Sequence, residues 1–460
     1  MINKPNRSES FGTEPIINLL RQQAIPASIG ILIMSIYGIV DTIFVGRWVG
    51  SNGIAAITVV FPITFLISSF GMAVGIGGAS VLSRALGNDE IDKAFKTFGN
   101  QVLLTVVLAT TFMVLGFIFE VPILKAFGGK GEVLEPAREY FLIVLLGVPF
   151  LAWAMMANNV IRAEGYPKVA MITMIVPAVV NLILDPLFIG YFEWGMKGAA
   201  YATLAGYTAS AAFTAWFFFF GKSELVINLR NLTPDFGIIK EIAAIGSVTL
   251  ARQGTISVLS IVLNNALFNT GGALALSAYG IISRMMMFAN FPVIGITQGF
   301  MPIAGYNFGA KLWERLRKSI WISMRSATLI AFGIFTCIML LAPYIVNVFT
   351  TDQELIDVAV PALRISFIAT PLIGVGLIGS AYFQSIGKAL PALLLTLTKQ
   401  GFFLIPLILI LPPFFGTDGI WWSFPIADIG SAAITFFYLR KQMDKIPGTE
   451  NVPVPATFEN

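Results

Sequence analysis

Twelve apolar stretches, each bounded by polar or Gly/Pro-rich punctuation, divide most of this chain. The first six run over residues 18–45, 54–82, 96–119, 138–161, 167–190 and 198–220. The second six run over 240–269, 274–304, 319–342, 359–384, 389–412 and 419–440. A bilayer core about 30 Å thick takes roughly 20 apolar residues as a helix, and every stretch is long enough. The pattern predicts an all-α polytopic membrane protein of twelve transmembrane helices in two six-helix lobes. The lobes are expected at 15–221 and 238–441, joined by a cytoplasmic linker at 222–237.

Composition removes the soluble alternative. A chain of 460 residues has room for about three soluble domains. Only 12% of its residues are charged, however, and 56% are hydrophobic, against roughly 25% charged in a soluble domain. No secretory signal is visible in the polar segment 1–14, which is expected as a disordered cytoplasmic N-terminus. The Pro-rich segment 442–460 is expected as a disordered cytoplasmic tail.

Basic residues set the orientation. Nineteen Lys and Arg fall on the side of the termini and the even-numbered loops, and six on the other side. Both termini are therefore expected inside, in a membrane of the bacterial inner (plasma) type. The net charge of +4 follows from this bias and gives no reason to expect nucleic-acid binding.

Displaced by 222 residues, the chain aligns with itself. RALGNDEIDKAFK (84–96) falls on YNFGAKLWERLRK (306–318), with Gly87 on Gly309 and Lys96 on Lys318. Farther along, Pro149 meets Pro371, Gly165 meets Gly387 and Ala170 meets Ala392. Six spans per repeat leave both halves the same way up, so the repeat is parallel. Two-lobed transporters built this way place substrate between the lobes.

Histidine is absent and Cys337 is the only cysteine. An intrachain disulfide is thereby excluded, and no zinc, haem or iron–sulfur site is expected. Proton chemistry inside the membrane falls to carboxylates. Each ionisable residue in a span costs at least about 2.5 kcal/mol and needs a reason. Asp41 lies toward the outer end of the first span, and Asn181 and Asp185 near the outer end of the fifth. These last two, four residues apart, share a helix face. Thr203 lies early in the sixth span, at similar depth. Together the four suit a proton or Na⁺, and Tyr37 stands one turn before Asp41 as a hydrogen-bond donor. Pro26, Pro177 and Pro186 each remove a ladder hydrogen bond, opening carbonyls to a cavity or serving packing alone.

Buried charges in the second half are Arg252, Arg284, Arg325, Lys399 and Asp428. Lys399 and Asp428 fall near mid-depth, so Asp428 is expected to pair with Lys399 or Arg284 in a structural charge network. The run GMAVGIGG (71–78) lies within a span and no GxxxxGK[ST] follows it, so it reads as close helix packing.

Several segments resemble the multidrug and toxin extrusion (MATE) family. They are IPASIGILIMSIYGIVDTIFVGRWVG, LSRALGNDEIDKA, RAEGYPKVAM, NLILDPLFI and GMKGAAYAT in the first half. In the second they are SAYGIISRMM, GFMPIAGYNFGA and FQSIGKALPALL. The resemblance covers about residues 15–440. It implies a secondary antiporter that expels amphipathic, often cationic compounds in exchange for H⁺ or Na⁺. Its DinF-like and MepA-like branches carry coupling residues that correspond to Asp41, Asn181, Asp185 and Thr203. The NorM-like branch uses acids of spans seven and ten, which here carry none centrally.

No cofactor is expected beyond the coupling ion. The expected partners are a small amphipathic organic substrate and the lipid bilayer, with the protein a monomer. A flippase or exporter of a lipid-linked or metabolite substrate is the alternative, although the buried cations are few for phosphates. A major facilitator lacks its loop signature here. A membrane enzyme finds no nucleophile–base pair.

Overall fold

The structure is a computed structural model that describes residues 7–225 and 229–447, almost wholly helical and without a strand among them. The first lobe comprises α1 (Ile16–Trp48), α2 (Ser51–Gly87), α3 (Ile91–Ile118), α4 (Leu134–Ala163), α5 (Pro167–Asp185) and α6 (Gly195–Phe220). A π-helical turn, Pro186–Tyr191, continues α5. In the second lobe, one helical run breaks at Gly272 (φ +61°) into α7 (236–271) and α8 (273–309). Then follow α9 (Trp313–Phe349), α10 (Gln353–Phe367, resumed at Ile373–Ser385), α11 (Ala389–Leu397) and α12 (Pro412–Met443). A π-helical stretch, Thr398–Leu404, carries α11 on to Ile405–Ile410. The twelve helices and two lobes are those the hydrophobic pattern predicts.

Most helices overrun their apolar windows at one or both ends. α9 begins at Trp313 rather than near 319, because its first turns carry Glu314, Arg315, Arg317 and Lys318. Such residues face the membrane surface, where hydropathy reads them as loop. The parallel repeat extends to backbone conformation. Gly50 and Gly272, Asp89 and Lys311, and Gly165 and Gly387 lie 222 residues apart and all have positive φ. Pro149 and Pro371 are the exception. α4 runs unbroken through Pro149, whereas α10 breaks into the 3₁₀ turn Thr370–Leu372.

The lobes meet at the end that carries the chain termini. A Cβ at Gly87 of α2 would overlap the carbonyl oxygen of Tyr306 on α8. A Cβ at Gly309 of α8 would overlap the carbonyl oxygen of Arg84 on α2. These two contacts are mates under the 222-residue shift. Arg84 Nη1 also pairs with Glu241 of α7 at 2.7 Å. Ser80 Oγ donates to the carbonyls of Gln384 and Ser385 at 2.6 and 3.0 Å. Among the described residues, the hydrogen bonds and ion pairs between lobes cluster at this end. One apolar cluster there joins Leu82 and Val160 to Phe300 and Phe383. Toward the far end each lobe has its own cluster, with Val60, Phe141 and Leu145 in the first and Leu263, Ile282 and Trp421 in the second. The lobes are thus joined at the termini end and separate at the other.

Residues 7–14 depart from the expected disorder. Arg7–Glu9 and Ser10–Thr13 form short helical turns because Phe11 is fully buried against Tyr306. Asn307 Nδ2 and Arg315 Nη2 donate to the Phe11 carbonyl, and Arg315 also to that of Glu14 at 2.5 Å. Arg7 in turn lies over the Tyr166 ring of the first lobe, 4.9 Å from its centre. The start of the tail is held similarly, for Arg317 Nη2 donates to the Ile446 carbonyl at 2.5 Å and Ile446 is buried. Residues 1–6 and 448–460 of the two expected disordered segments, and 226–228 of the linker, lie outside the described residues.

The linker is tied to the first lobe by Glu164. This buried carboxylate accepts from Ser223 Oγ at 2.9 Å and from the Glu224 and Leu225 N–H groups at 3.0 and 3.2 Å. Burial nevertheless pushes its pKa up from 4.5 to about 7, against the pull of those donors. The folded chain therefore holds a proton between these values that the unfolded chain releases. The contribution of Glu164 to stability is greatest below pH 4.5, falls as pH rises through the window, and levels off above 7, a difference of about 3 kcal/mol. Thermal melts in detergent should show the wild-type Tm falling from pH 4.5 to 8, with a flatter profile for Glu164→Gln. Identical profiles would remove Glu164 as the cause.

Candidate functional site

The expected site residues converge inside the first lobe. Asp185 is fully buried, and Asn181, Thr203 and Asp41 nearly so. Asn181 and Asp185 sit on adjacent turns of α5, and the π-helical turn begins immediately after Asp185. Such insertions recur at functional sites because they redirect side chains and carbonyls. The Asn181 amide is satisfied on both atoms when its nitrogen faces Asp185. Nδ2 then donates to Asp185 Oδ2, and Oδ1 accepts from the Thr203 backbone N–H at 3.3 Å. Turned over, Nδ2 would donate instead to Thr203 Oγ1 at 3.4 Å, leaving the amide oxygen against a carboxylate.

Asp41 of α1 reaches across to α5, where its carboxyl stands beside that of Asp185. Two carboxyls so placed can hydrogen-bond to each other only when one of them carries a proton, since two carboxylates offer acceptors alone. Asp41 Oδ1 is buried and finds no partner. An acceptor left bare costs about 1–3 kcal/mol, more if charged. Two acids, an amide and a hydroxyl are therefore gathered with capacity to spare.

Three tyrosines complete the surroundings. Tyr37 of α1, Tyr140 of α4 and Tyr207 of α6 all lie within electrostatic range of Asp41. Tyr140 Oη stands 3.4 Å from Thr203 Oγ1. Tyr37 is where the sequence places it. Tyr140 and Tyr207 are additions, of which Tyr207 was detectable as the residue one turn after Thr203 on the same face. Tyr140 lies close to Arg138 and Glu139 at a helix end and gives no such signal.

Of the prolines, Pro26 is buried within α1. A Cβ at Gly206 of α6 would sit 3.0 Å from the Pro177 carbonyl oxygen, so Pro177 marks a close helix contact. Pro186 opens the π-helical turn.

In the second lobe, Lys399 Nζ pairs with Asp428 Oδ1 at 2.5 Å. The Lys399 side chain is 32% exposed and that of Asp428 6%. Lys399 sits in the π-helical stretch of α11. Arg284 stands outside the expected network, for it is exposed on α8 and makes no ion pair among the described residues. Leu263, 222 residues after Asp41, is fully buried in the apolar cluster. The carboxylate site therefore has no counterpart at that position.

Residues 26–187 and 250–410 match the model of the MatE family. The chain belongs to the MatE family. It is an integral membrane protein. The multidrug export protein MepA of Staphylococcus aureus (strain NCTC 8325 / PS 47) is 28% identical over 438 residues, covering 94% of this chain and 95% of that protein. The outward-facing conformation of a multidrug resistance MATE family transporter of the MOP superfamily superposes with a TM-score of 0.91 at 25% identity. That match covers 96% of this chain and 99% of the other. A MOP superfamily transporter from Pyrococcus furiosus Vc1 (DSM3638), described as having a binding pocket of reverse polarity that suggests a different function, shares the fold. Its TM-score is 0.90 at 24% identity, over 98% of this chain and all of that one.

The Lys399–Asp428 pair is expected to hold α11 on α12. Removing one partner of a fully buried pair costs about 3–5 kcal/mol. With Lys399 partly exposed, Asp428→Asn should cost about 2 kcal/mol, read as a lower Tm, and leave the ion dependence of transport intact. An unchanged Tm with the ion dependence lost would move ion coupling into this lobe.

Proposed function

We propose that the protein is a secondary antiporter that exports amphipathic, often cationic, organic compounds or drugs in exchange for H⁺ or Na⁺. The similarity to MepA supports the substrate class. The observation that carries the mechanism is the buried Asp41–Asp185 carboxyl pair with its partnerless oxygen. Asp41 is the central coupling residue, Asp185 its assistant, and Asn181 and Thr203 neutral ligands for the proton or Na⁺. The termini lie in the cytoplasm of a bacterial plasma membrane, so the separated end of the lobes faces outward.

On this reading the outward-open form takes up H⁺ or Na⁺ from outside through Asp41. The ion neutralises the acidic pair and weakens its hold on a cationic substrate, which leaves outward. Loss of charge also allows α1, which carries Pro26, to repack. The loaded protein then opens inward, releases the ion and binds substrate again. One charge crossing 100 mV supplies about 2.3 kcal/mol, roughly a fiftyfold gradient, so one or two ions suffice for useful export.

Asp41→Asn imitates the neutralised form and should slow ion-driven efflux of a fluorescent cation from proteoliposomes by at least about tenfold. Its Tm should stay within a few degrees of wild type. Running pH and Na⁺ gradients separately identifies the ion. Wild-type efflux with intact coupling in Asp41→Asn would sink the mechanism.

A further inference from the structure

Within the spans, the first lobe carries the acids Asp41 and Asp185, whereas the second carries Arg252, Arg284 and Lys399 with Asp428 and, near the outer end of α12, the exposed Asp418. Lys399 is taken by Asp428. Arg252, half-buried on α7, and Arg284, exposed on α8, have no ion pair or hydrogen bond among the described residues. A guanidinium in a span costs at least about 2.5 kcal/mol. Without a protein counter-charge it must reach water or an anionic ligand.

Their positions point inward rather than to lipid. Arg252 stands 222 residues after Gly30, where α1 lies against Met174 of α5. One turn beyond it, Thr255 Cγ2 is 3.8 Å from where a Cβ on Gly401 would lie, two residues past Lys399. Arg252 is thus on the side of α7 turned to α11. Arg284 precedes Gly295 by three helical turns, hence on the same face, and at Gly295 a Cβ would overlap Ser28 of α1. That face looks at the first lobe across the region where the lobes separate. Depth agrees as well. Asp41 lies 25 residues from the start of α1 and Arg284 25 residues from the end of α8, each about 37 Å from the termini end. Arg325 differs, for it is exposed on α9 opposite the buried Ser323 and Ala327.

We infer that the second-lobe wall of the cleft binds the carboxylate of an amphipathic zwitterion, whose amine faces Asp41 on the first lobe. Arg284 receives the carboxylate across the open cleft, and Arg252 lies about two turns deeper. A guanidinium suits this role, because it stays charged and offers two parallel N–H donors to a carboxylate. The inference rests on the cleft being the substrate path, as under the proposed function, and adds the anionic half of the substrate.

The test is equilibrium binding by tryptophan quenching to the full-length protein in detergent. The probes are a quinolone carboxylate bearing a piperazine amine and its methyl ester, which keeps size and cation but loses the anion. Wild type should bind the acid about tenfold more tightly than the ester. Arg284→Gln, at an exposed and unpaired position, should bring the two within about twofold, and Arg252→Gln should narrow the gap. Equal wild-type affinities, no binding of either probe, or a preference that survives both substitutions would overturn the inference. So would tighter, Arg284-dependent binding of lysophosphatidic acid, which would mark the wall as a lipid-phosphate site. Ester efflux from proteoliposomes under an ion gradient separates the two ideas. Export of the ester without acid preference leaves the proposed function standing and removes only this inference. Acid preference without ion-driven export of either compound does the reverse.

Discussion

The architecture depends on how closely α2 and α8 approach at the termini end. At Gly87 and Gly309 each helix sets bare backbone on the other's carbonyl, and any Cβ would collide. The same relation recurs one step out. Gly77 of α2 meets Ile242 and Gly246 of α7, while Gly299 of α8 meets Gln23 and Ala24 of α1. Small residues are the general means by which helices approach in a membrane, where no hydrophobic force separates them from lipid. Here the repeat makes these contacts occur in pairs, about an axis through the lobe junction. A two-fold contact confined to one end leaves each lobe a body that can tilt about it, which is the motion the proposed alternating access requires.

Ionisable groups break the symmetry that packing keeps. Leu263 replaces Asp41 under the 222-residue shift, and Arg252 replaces Gly30. One lobe is acidic at depth and the other basic, although their backbones correspond turn for turn at Gly50 and Gly272. The repeat supplies two equivalent backbone scaffolds. Divergence in a handful of side chains gave them opposite charge, and the lipid penalty on each such side chain makes the difference informative.

Much of this was legible because hydropathy and loop chemistry act locally. Twelve spans, the parallel repeat and the depth of Asp41, Asn181, Asp185 and Thr203 all follow from counting residues along helices. What escaped was set by contacts remote in sequence. Phe11 sits in a polar segment and reads as disordered, yet Tyr306 and Arg315, some 300 positions away, order it. Arg84 and Glu241 look like loop charges until the fold brings them together. Tyr140 faces the site only because of how α4 leans on α6. That Asp428 pairs with Lys399 and not Arg284 depends on how α8 and α11 sit against α12, which no periodicity argument gives.

For the proposed coupling of an ion at Asp41 to the lobe junction, α1 is the physical carrier. It is a single helix with Asp41 toward one end and, near the other, the residues Gln23, Ala24 and Ser28 that lie against Gly295 and Gly299 of α8. Pro26 stands among those contacts, where a missing ladder hydrogen bond lowers the cost of bending. On that proposal, a change at Asp41 reaches the junction through one covalent element, without a chain of side-chain relays. α7 is the mate of α1 and makes the mirrored contacts with α2, but carries Leu263 where α1 carries Asp41. Of the two helices that make these contacts, only α1 carries the acid proposed to couple the ion. On the proposed function, that restricts the response to one lobe and lets a symmetric scaffold run an asymmetric cycle.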